Sequence, residues 1–313
     1  VEANNNLANI YGELKQYELA ISQYKKALKA NPSSVPTLFN LAQTYIDLSN
    51  NEKAIESFLQ VIQIEPTFTQ AHQQLVKIYL KKENYLGALL HLKQLTKANS
   101  NDISAQTSIA KIYNKLGNFK LALEILSPII THTPDNIEAR ETLAEVFYKA
   151  GNFDNSIEEY RRILEINSKH LPAYLQLGWV YYRKGEFEMS IAWTKRGLAI
   201  GSRSDQLDSL ASMNLGLYAW LNNDHEAAKK WYRKALDQES DVILDGILKD
   251  LKDTSLLFPN RTEASFYSGW VLMEVGKKKM AFPHLTHFLS LTTESALSNE
   301  ARTLLSQKLP LAN

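Results

Sequence analysis

The chain contains no cysteine, which excludes disulfides, thiolate zinc sites, iron–sulfur clusters and a cysteine nucleophile. Glycine and proline are sparse, at 12 and 9 of 313 residues, and this argues against a turn-rich all-β fold. Neither sign of charge dominates: the formal net charge is +1, so there is no electrostatic footprint for nucleic acid. No uninterrupted apolar run approaches the roughly 20 residues of a membrane span, so no direct membrane insertion is expected. Neither common glycine-rich phosphate loop is present. What the chain does have is Leu, Ala, Lys, Glu and Gln in many windows, which favours helix. Apolar residues make up 44% and charged residues 22%, the balance of a folded soluble protein. A length of 313 residues exceeds a usual single core, so several domains or a repeat array is expected.

A ruler of 34 residues laid from Val1 fits six units over 1–204 without an insertion. Place seven carries Leu7, Leu41, Leu75, Ile109, Leu143 and Leu177; place eight carries Ala8, Ala42, Val76, Ala110, Ala144 and Gly178. Place eleven is aromatic throughout: Tyr11, Tyr45, Tyr79, Tyr113, Phe147 and Tyr181. Place twenty is small, as in Ala20, Ala54 and Ser156, and Pro32, Pro66 and Pro134 stand at place thirty-two, with Ser100, Ser168 and Ser202 in the other units. Places seven, eight and eleven share one face of a helix. Small residues at eight and twenty let two helices approach closely. "LGNFKLA" at 116–122 and "AGNFDNS" at 150–156 read as the turn between them, where Gly117 and Gly151 supply a left-handed residue.

In these residues the chain resembles the tetratricopeptide repeat family, whose unit is a helix–turn–helix with this succession of large, small, aromatic and proline. The resemblance implies an all-α solenoid of about eight hairpins forming a right-handed superhelix, with a C-terminal cap helix. One hairpin cannot bury its apolar face alone, so equal units stack in equal poses. The expected division is six regular units over 1–204, a seventh with a short insertion over 205–240, an inserted amphipathic helix and loop over 241–260, a degenerate eighth unit over 261–292, and a capping helix and tail over 293–313. The inserted helix has two open readings: packing against the stack, or covering the groove. The chain begins at Val1 with no signal-peptide pattern and no polar cap helix, which reads as a fragment with further chain upstream. A soluble location is expected, with the cytoplasm preferred over periplasmic or secreted.

The resemblance further implies that the first helix of each pair lines a groove, through places two, five, six, nine, twelve and thirteen. In the first three units these places hold amides, among them Asn5, Asn9, Asn40 and Gln74. Asn9 and Asn40 match the asparagines of the family's carboxylate clamp, but Asn5, Gln70 and Gln74 stand where its cations belong. A free terminal carboxylate would lack a strong partner there. Amides can instead pair with an extended peptide backbone, or merely serve as polar lining. Lys77, Lys111 and Lys115, with Lys81, form a basic line that either attracts an acidic segment or is a solvated face. Tyr148, Leu175, Trp179, Tyr182, Trp220 and Trp270 occupy groove places farther on. They form an apolar pocket for a partner, or are buried by the inserted helix or a tightening superhelix.

No metal or cofactor is expected. His284 and His287 lie three apart without a fitting third ligand, and "NRT" at 260–262 is only a weak glycosylation match. No triad is recognisable, so the chain is read as a non-enzymatic scaffold that binds a partner peptide or helix in its groove. The alternative is the targeting arm of a larger enzyme, such as a glycosyltransferase, with the catalytic domain elsewhere. Self-association through convex or terminal faces is a third reading.

Overall fold

The computed structural model describes residues 1–201, 205–237, 240–292 and 294–307. Ser202 and the tail from Lys308 lie outside the described residues. All secondary structure among them is α-helical, and the solenoid is built from helix hairpins. The chain divides into two compact units, Val1–Ala150 and Gly151–Asn313.

The first unit contains α1 (Glu2–Glu13), α2 (Tyr17–Ala30), α3 (Val35–Asp47), α4 (Asn51–Ile64), α5 (Thr69–Lys81), α6 (Tyr85–Ala98), α7 (Ile103–Lys115), α8 (Phe119–His132) and α9 (Ile137–Lys149). Each odd-numbered helix from α1 to α7 pairs with the helix after it, and each even-numbered one packs on the next odd-numbered one. The small residues at places eight and twenty are fully buried: Ala8 and Ala20, Ala42 and Ala54, Ala110 and Ala122. A larger side chain there would hold the two helices apart.

The second unit contains α10 (Phe153–Ile166), α11 (Leu171–Lys184), α12 (Phe187–Ile200), α13 (Asp205–Leu221), α14 (His225–Leu236), α15 (Asp241–Leu257), α16 (Glu263–Glu274), α17 (Lys278–Leu291) and α18 (Ala296–Ser306). The pairs α11/α12, α13/α14 and α16/α17 are its hairpins. The extra residues before the seventh unit are absorbed as an N-terminal turn of α13, which runs 17 residues. Glycine at place eight is obligatory in the last two hairpins. A Cβ on Gly216 would lie 2.6 Å from the Tyr232 ring, and one on Gly269 would lie 2.6 Å from Leu285. Helix α18 opens with a capping box between Ser295 and Ser298 and buries Leu297 and Ala301.

The hairpin turn is the same at place fifteen in every unit. Gly117, Gly151 and Gly185 have positive φ there, as the sequence suggests for the first two. Lys15, Ser49 and Glu83 adopt it as well, at φ 58, 57 and 54, although their side chains disfavour it. The reason is the hydrogen bond that this conformation completes. The amide of place sixteen reaches the carbonyl of place eleven at 2.8 Å in Gln16–Tyr11, Asn50–Tyr45, Asn84–Tyr79 and Asn118–Tyr113. Asn50 and Asn84 then cap the second helix by accepting from Lys53 and Gly87.

A second recurring device joins successive hairpins. The side chain at place four reaches back to the carbonyl that ends the preceding unit: His72 to Pro66 at 3.0 Å, Gln106 to Ser100 at 2.7 Å, Arg140 to Pro134 at 2.5 Å and Tyr174 to Ser168 at 3.2 Å. In the third hairpin His72 also meets His91, Nδ1 to Nδ1 at 3.0 Å, and His91 stacks on Tyr79. With Nε2 of His72 donating to the Pro66 carbonyl, its Nδ1 is left to accept from Nδ1–H of His91.

Two outcomes follow from these features. Glu83→Gly relieves a left-handed side chain and should raise stability by about 1 kcal/mol, read as a higher urea midpoint. Burial, helped by neighbouring His72, pushes His91 down from 6.5 to about 4. The unfolded chain therefore takes up the proton first, and stability falls as pH drops from about 6.5 toward 4. Urea titrations at neutral and mildly acidic pH should show His91→Leu losing about 1 kcal/mol less than the wild type on acidification.

Candidate functional site

In the first unit, the wall formed by α1, α3, α5, α7 and α9 is polar. Asn5, Asn9, Asn40 and Gln74 are half-buried on it. Asn9 is partly committed to structure, because its Oδ1 accepts from Tyr24 Oη at 2.6 Å and from Asn40 Nδ2 at 3.1 Å. Burial of Tyr24 raises its phenol above the ordinary value, so it stays a donor. The amide groups of Asn40 and Asn9 thus form a fixed rung across two hairpins, and the rotamer entropy that binding would otherwise cost is already spent.

Lys77 and Lys81 on α5, and Lys111 and Lys115 on α7, are all exposed. Each pair is one helical turn apart, about 6 Å along the axis. Lys111 reaches Glu138 of α9 at 2.7 Å, with both side chains about half exposed. Among the described residues no ion pair holds Lys77, Lys81 or Lys115. Tyr148, half-buried on α9, is the aromatic candidate of this unit.

In the second unit the corresponding wall is apolar and covered. Leu175, Tyr182, Trp220 and Trp270 are at most 5% exposed, so they are core residues and not open groove wall. Leu175 packs in a cluster with Leu171 and Ala211. Tyr182 lies against Tyr218 and Phe258, and its hydroxyl meets Thr254 Oγ1 at 2.8 Å. Trp220 packs on Tyr267, and the Arg233 guanidinium sits 4.9 Å above the Trp270 ring. Of the aromatic set only Trp179 keeps partial exposure, tilted 4.9 Å from Tyr182. All four are buried; the inserted helix meets Tyr182, whereas Leu175 and Trp220 are packed by neighbouring hairpin helices.

The cover is α15, a helix of 17 residues and so longer than the short one expected. Its inner face is Ile243, Leu244, Ile247, Leu251 and Thr254. Thr254 and Phe258 touch Tyr182, at place twelve of its unit, and Gly246 faces Met213, at place five of the next. Leu244 shares a cavity of about 620 Å³ with Glu274 and Val275 at the end of α16. Periodicity gave α15 an apolar face, but nothing local says which distant residues that face meets. The clue was the surplus of aromatics at groove places in the same part of the chain.

Asp250 is the exception on the inner side of α15. Burial, with Asp253 nearby, raises its carboxyl to about 6, and Lys249 opposes this. Tyr232 of α14 faces it as well. Among the described residues no group of three or more His, Asp or Glu side chains is placed to hold a metal, and no helix is long and apolar enough to cross a membrane.

Family models for the tetratricopeptide repeat match residues 1–34, 23–56, 82–166, 142–205 and 211–241. The chain belongs to the tetratricopeptide repeat family. No curated protein matches it in sequence. Among solved structures it is similar to the C-terminal part of a TPR repeat-containing protein from Cytophaga hutchinsonii, with TM-score 0.57 and 16% identity over 77% of this chain and 98% of that one. It is also similar to human IFIT1, solved as a dimer with PPP-AAAA, with TM-score 0.54 and 18% identity over 89% of this chain and 69% of that one. YrrB, described as a TPR protein with an unusual peptide-binding site, matches with TM-score 0.45 and 19% identity over 57% of this chain and 92% of that one. The likeness to the Cytophaga hutchinsonii protein shows the shared tetratricopeptide fold.

The Asp250 carboxyl generates a pH dependence opposite in sign to that of His91. A carboxyl raised above its ordinary value takes up its proton in the folded state first, so the second unit gains stability as pH falls from 7 through about 6 toward 4. Asp250→Asn mimics the protonated form. It should raise the melting temperature at pH 7 by the equivalent of about 1 kcal/mol and remove the gain on acidification.

Proposed function

We propose that this chain is a non-enzymatic protein-interaction scaffold whose first unit holds an extended, acidic segment of a protein partner. The reading rests on one observation: exposed Lys77, Lys81 and Lys115 stand on successive first helices without an ion pair among the described residues. Ammonium groups in that arrangement attract carboxylates and speed encounter through their summed field. The half-buried amides of Asn5 and Asn40 stand on the preceding first helices, and that of Gln74 on α5 itself. They offer donors and acceptors to a peptide backbone irrespective of its side chains. The missing clamp cations make an internal acidic stretch a better ligand than a free chain terminus.

The second unit has a different role in this reading, because Leu175, Tyr182, Trp220 and Trp270 are buried there and Trp179 is partly open. The apolar part of the partner expected from the sequence is therefore moved away from Trp220 and Trp270.

Fluorescence anisotropy with a glutamate-rich peptide, beside a glutamine–serine peptide of equal length, tests the proposal. The acidic peptide should bind and weaken steeply from low to high salt. Lys77→Glu/Lys111→Glu should weaken it at least about tenfold, the effect of roughly 1.4 kcal/mol. Equal binding of both peptides, or indifference to the charge reversal, refutes the assignment.

A further inference from the structure

The insertion after α14 is costly for a repeat array, because it breaks the spacing that lets hairpins stack in register. A bare spacer would need no apolar face, yet α15 has one, and that face is seated chiefly on the first helices α13 and α16, with the second helix α14 at its margin. Its contacts fall at three points along its length. Near its start, Leu244 lines one cavity with Glu274 and Val275 at the end of α16. At Gly246 the chain comes within reach of Met213 on α13: a Cβ there would stand 3.2 Å from the sulfur. At its end Thr254 bonds the Tyr182 hydroxyl, and Phe258 packs against Tyr182 and Phe187. A helix of this length spans about 25 Å, enough to cross three first helices.

This is how one helix docks into a groove, through anchors spaced along a single face. We propose that the first-helix wall of the second unit is a recognition surface for an amphipathic helix, and that α15 is its internal occupant, displaced by a partner helix of the same chemistry. The seat defines that chemistry. It takes aliphatic residues at the positions of Ile243, Leu244, Ile247 and Leu251, a residue no larger than glycine or alanine at Gly246, and a hydroxyl at Thr254.

Several features weaken the hold on α15. Its outer side is open, with Val242 and Leu256 more than 70% exposed. Gly246 lies in its interior, where glycine disfavours helix by about 1 kcal/mol relative to alanine. Ser240 makes no side-chain cap bond at its start. Its surface tie, Lys277 to Asp241, joins side chains that are 41% and 84% exposed, and such pairs stabilise little. Met213, beneath it, is a side chain suited to repacking around different occupants.

The inference is independent of the lysine wall in the first unit, and one set of experiments on the full chain keeps the two apart. Hydrogen exchange followed by mass spectrometry should show α15 opening at least about tenfold more readily than α13 and α16. A fluorescein-labelled peptide of residues 240–258 should bind Ile247→Asp/Leu251→Asp, which unseats α15, at least tenfold more tightly than it binds the wild type. Lys77→Glu/Lys111→Glu introduced beside it should leave that gain intact, since the peptide is itself acidic and could otherwise bind the first unit. Equal protection of α15, α13 and α16 overturns the proposal. So does a folded Ile247→Asp/Leu251→Asp protein that gains no peptide affinity. If that variant instead loses the cooperative melt of the second unit, α15 is a fixed part of the core, and the proposal fails in that way too.

Discussion

A hairpin of two helices has more apolar surface than its own contact can cover. That imbalance governs the rest of the molecule, because the uncovered face is removed from water only when another hairpin arrives in the same pose. Close approach within each pair comes first. It is why Ala8 meets Ala20, and why Gly216 and Gly269 tolerate no Cβ against Tyr232 and Leu285. The constraint on the turn follows from it. A left-handed residue at place fifteen aims the second helix back along the first, and Lys15, Ser49 and Glu83 accept that strain because the helix contact over-determines their backbone.

Joining successive hairpins is a separate problem, and four chemically different side chains solve it. An imidazole, an amide, a guanidinium and a phenol at place four each satisfy the carbonyl that closes the unit before. In these four units what serves is reach and a donor hydrogen, not a residue type, whereas the second hairpin has Leu38 at this place. At the part-buried Pro66 and Pro134 junctions an acceptor left without a donor would be destabilising. The same requirement explains how a histidine came to stand in the third unit, where its second nitrogen then needed His91.

The architecture was legible in the sequence because it is set by local recurrence. Large, small and aromatic residues at places seven, eight and eleven identify the packed face before any coordinates exist. The left-handed turns at Lys15, Ser49 and Glu83 were not legible, since no residue there advertises the conformation. Nor were the place-four bonds, since their residue types share no obvious trait. In the candidate site the polar half was readable: Lys77, Lys111 and Lys115 are exposed on first helices, as a chain of charged residues on an unpacked face must be. The aromatic half was not. Periodicity says that Tyr182, Trp220 and Trp270 turn away from the stacking face, but what lies over them depends on a helix far along the chain.

Contacts in a solenoid ordinarily join neighbours, so assembly can proceed from any hairpin outward. The second unit departs from this through two long ties: Tyr182 to Thr254 across 72 residues, and Lys229 to Glu300 across 71. Closing loops of that size lowers the rate at which native structure is reached, because chain entropy is lost before the contact compensates. With α15 seated, α11 is tied to a helix beyond the next hairpin, a link that a linear repeat array lacks. In the first unit the ties between hairpins include Asn40 to Asn9 across 31 residues and Lys111 to Glu138 across 27.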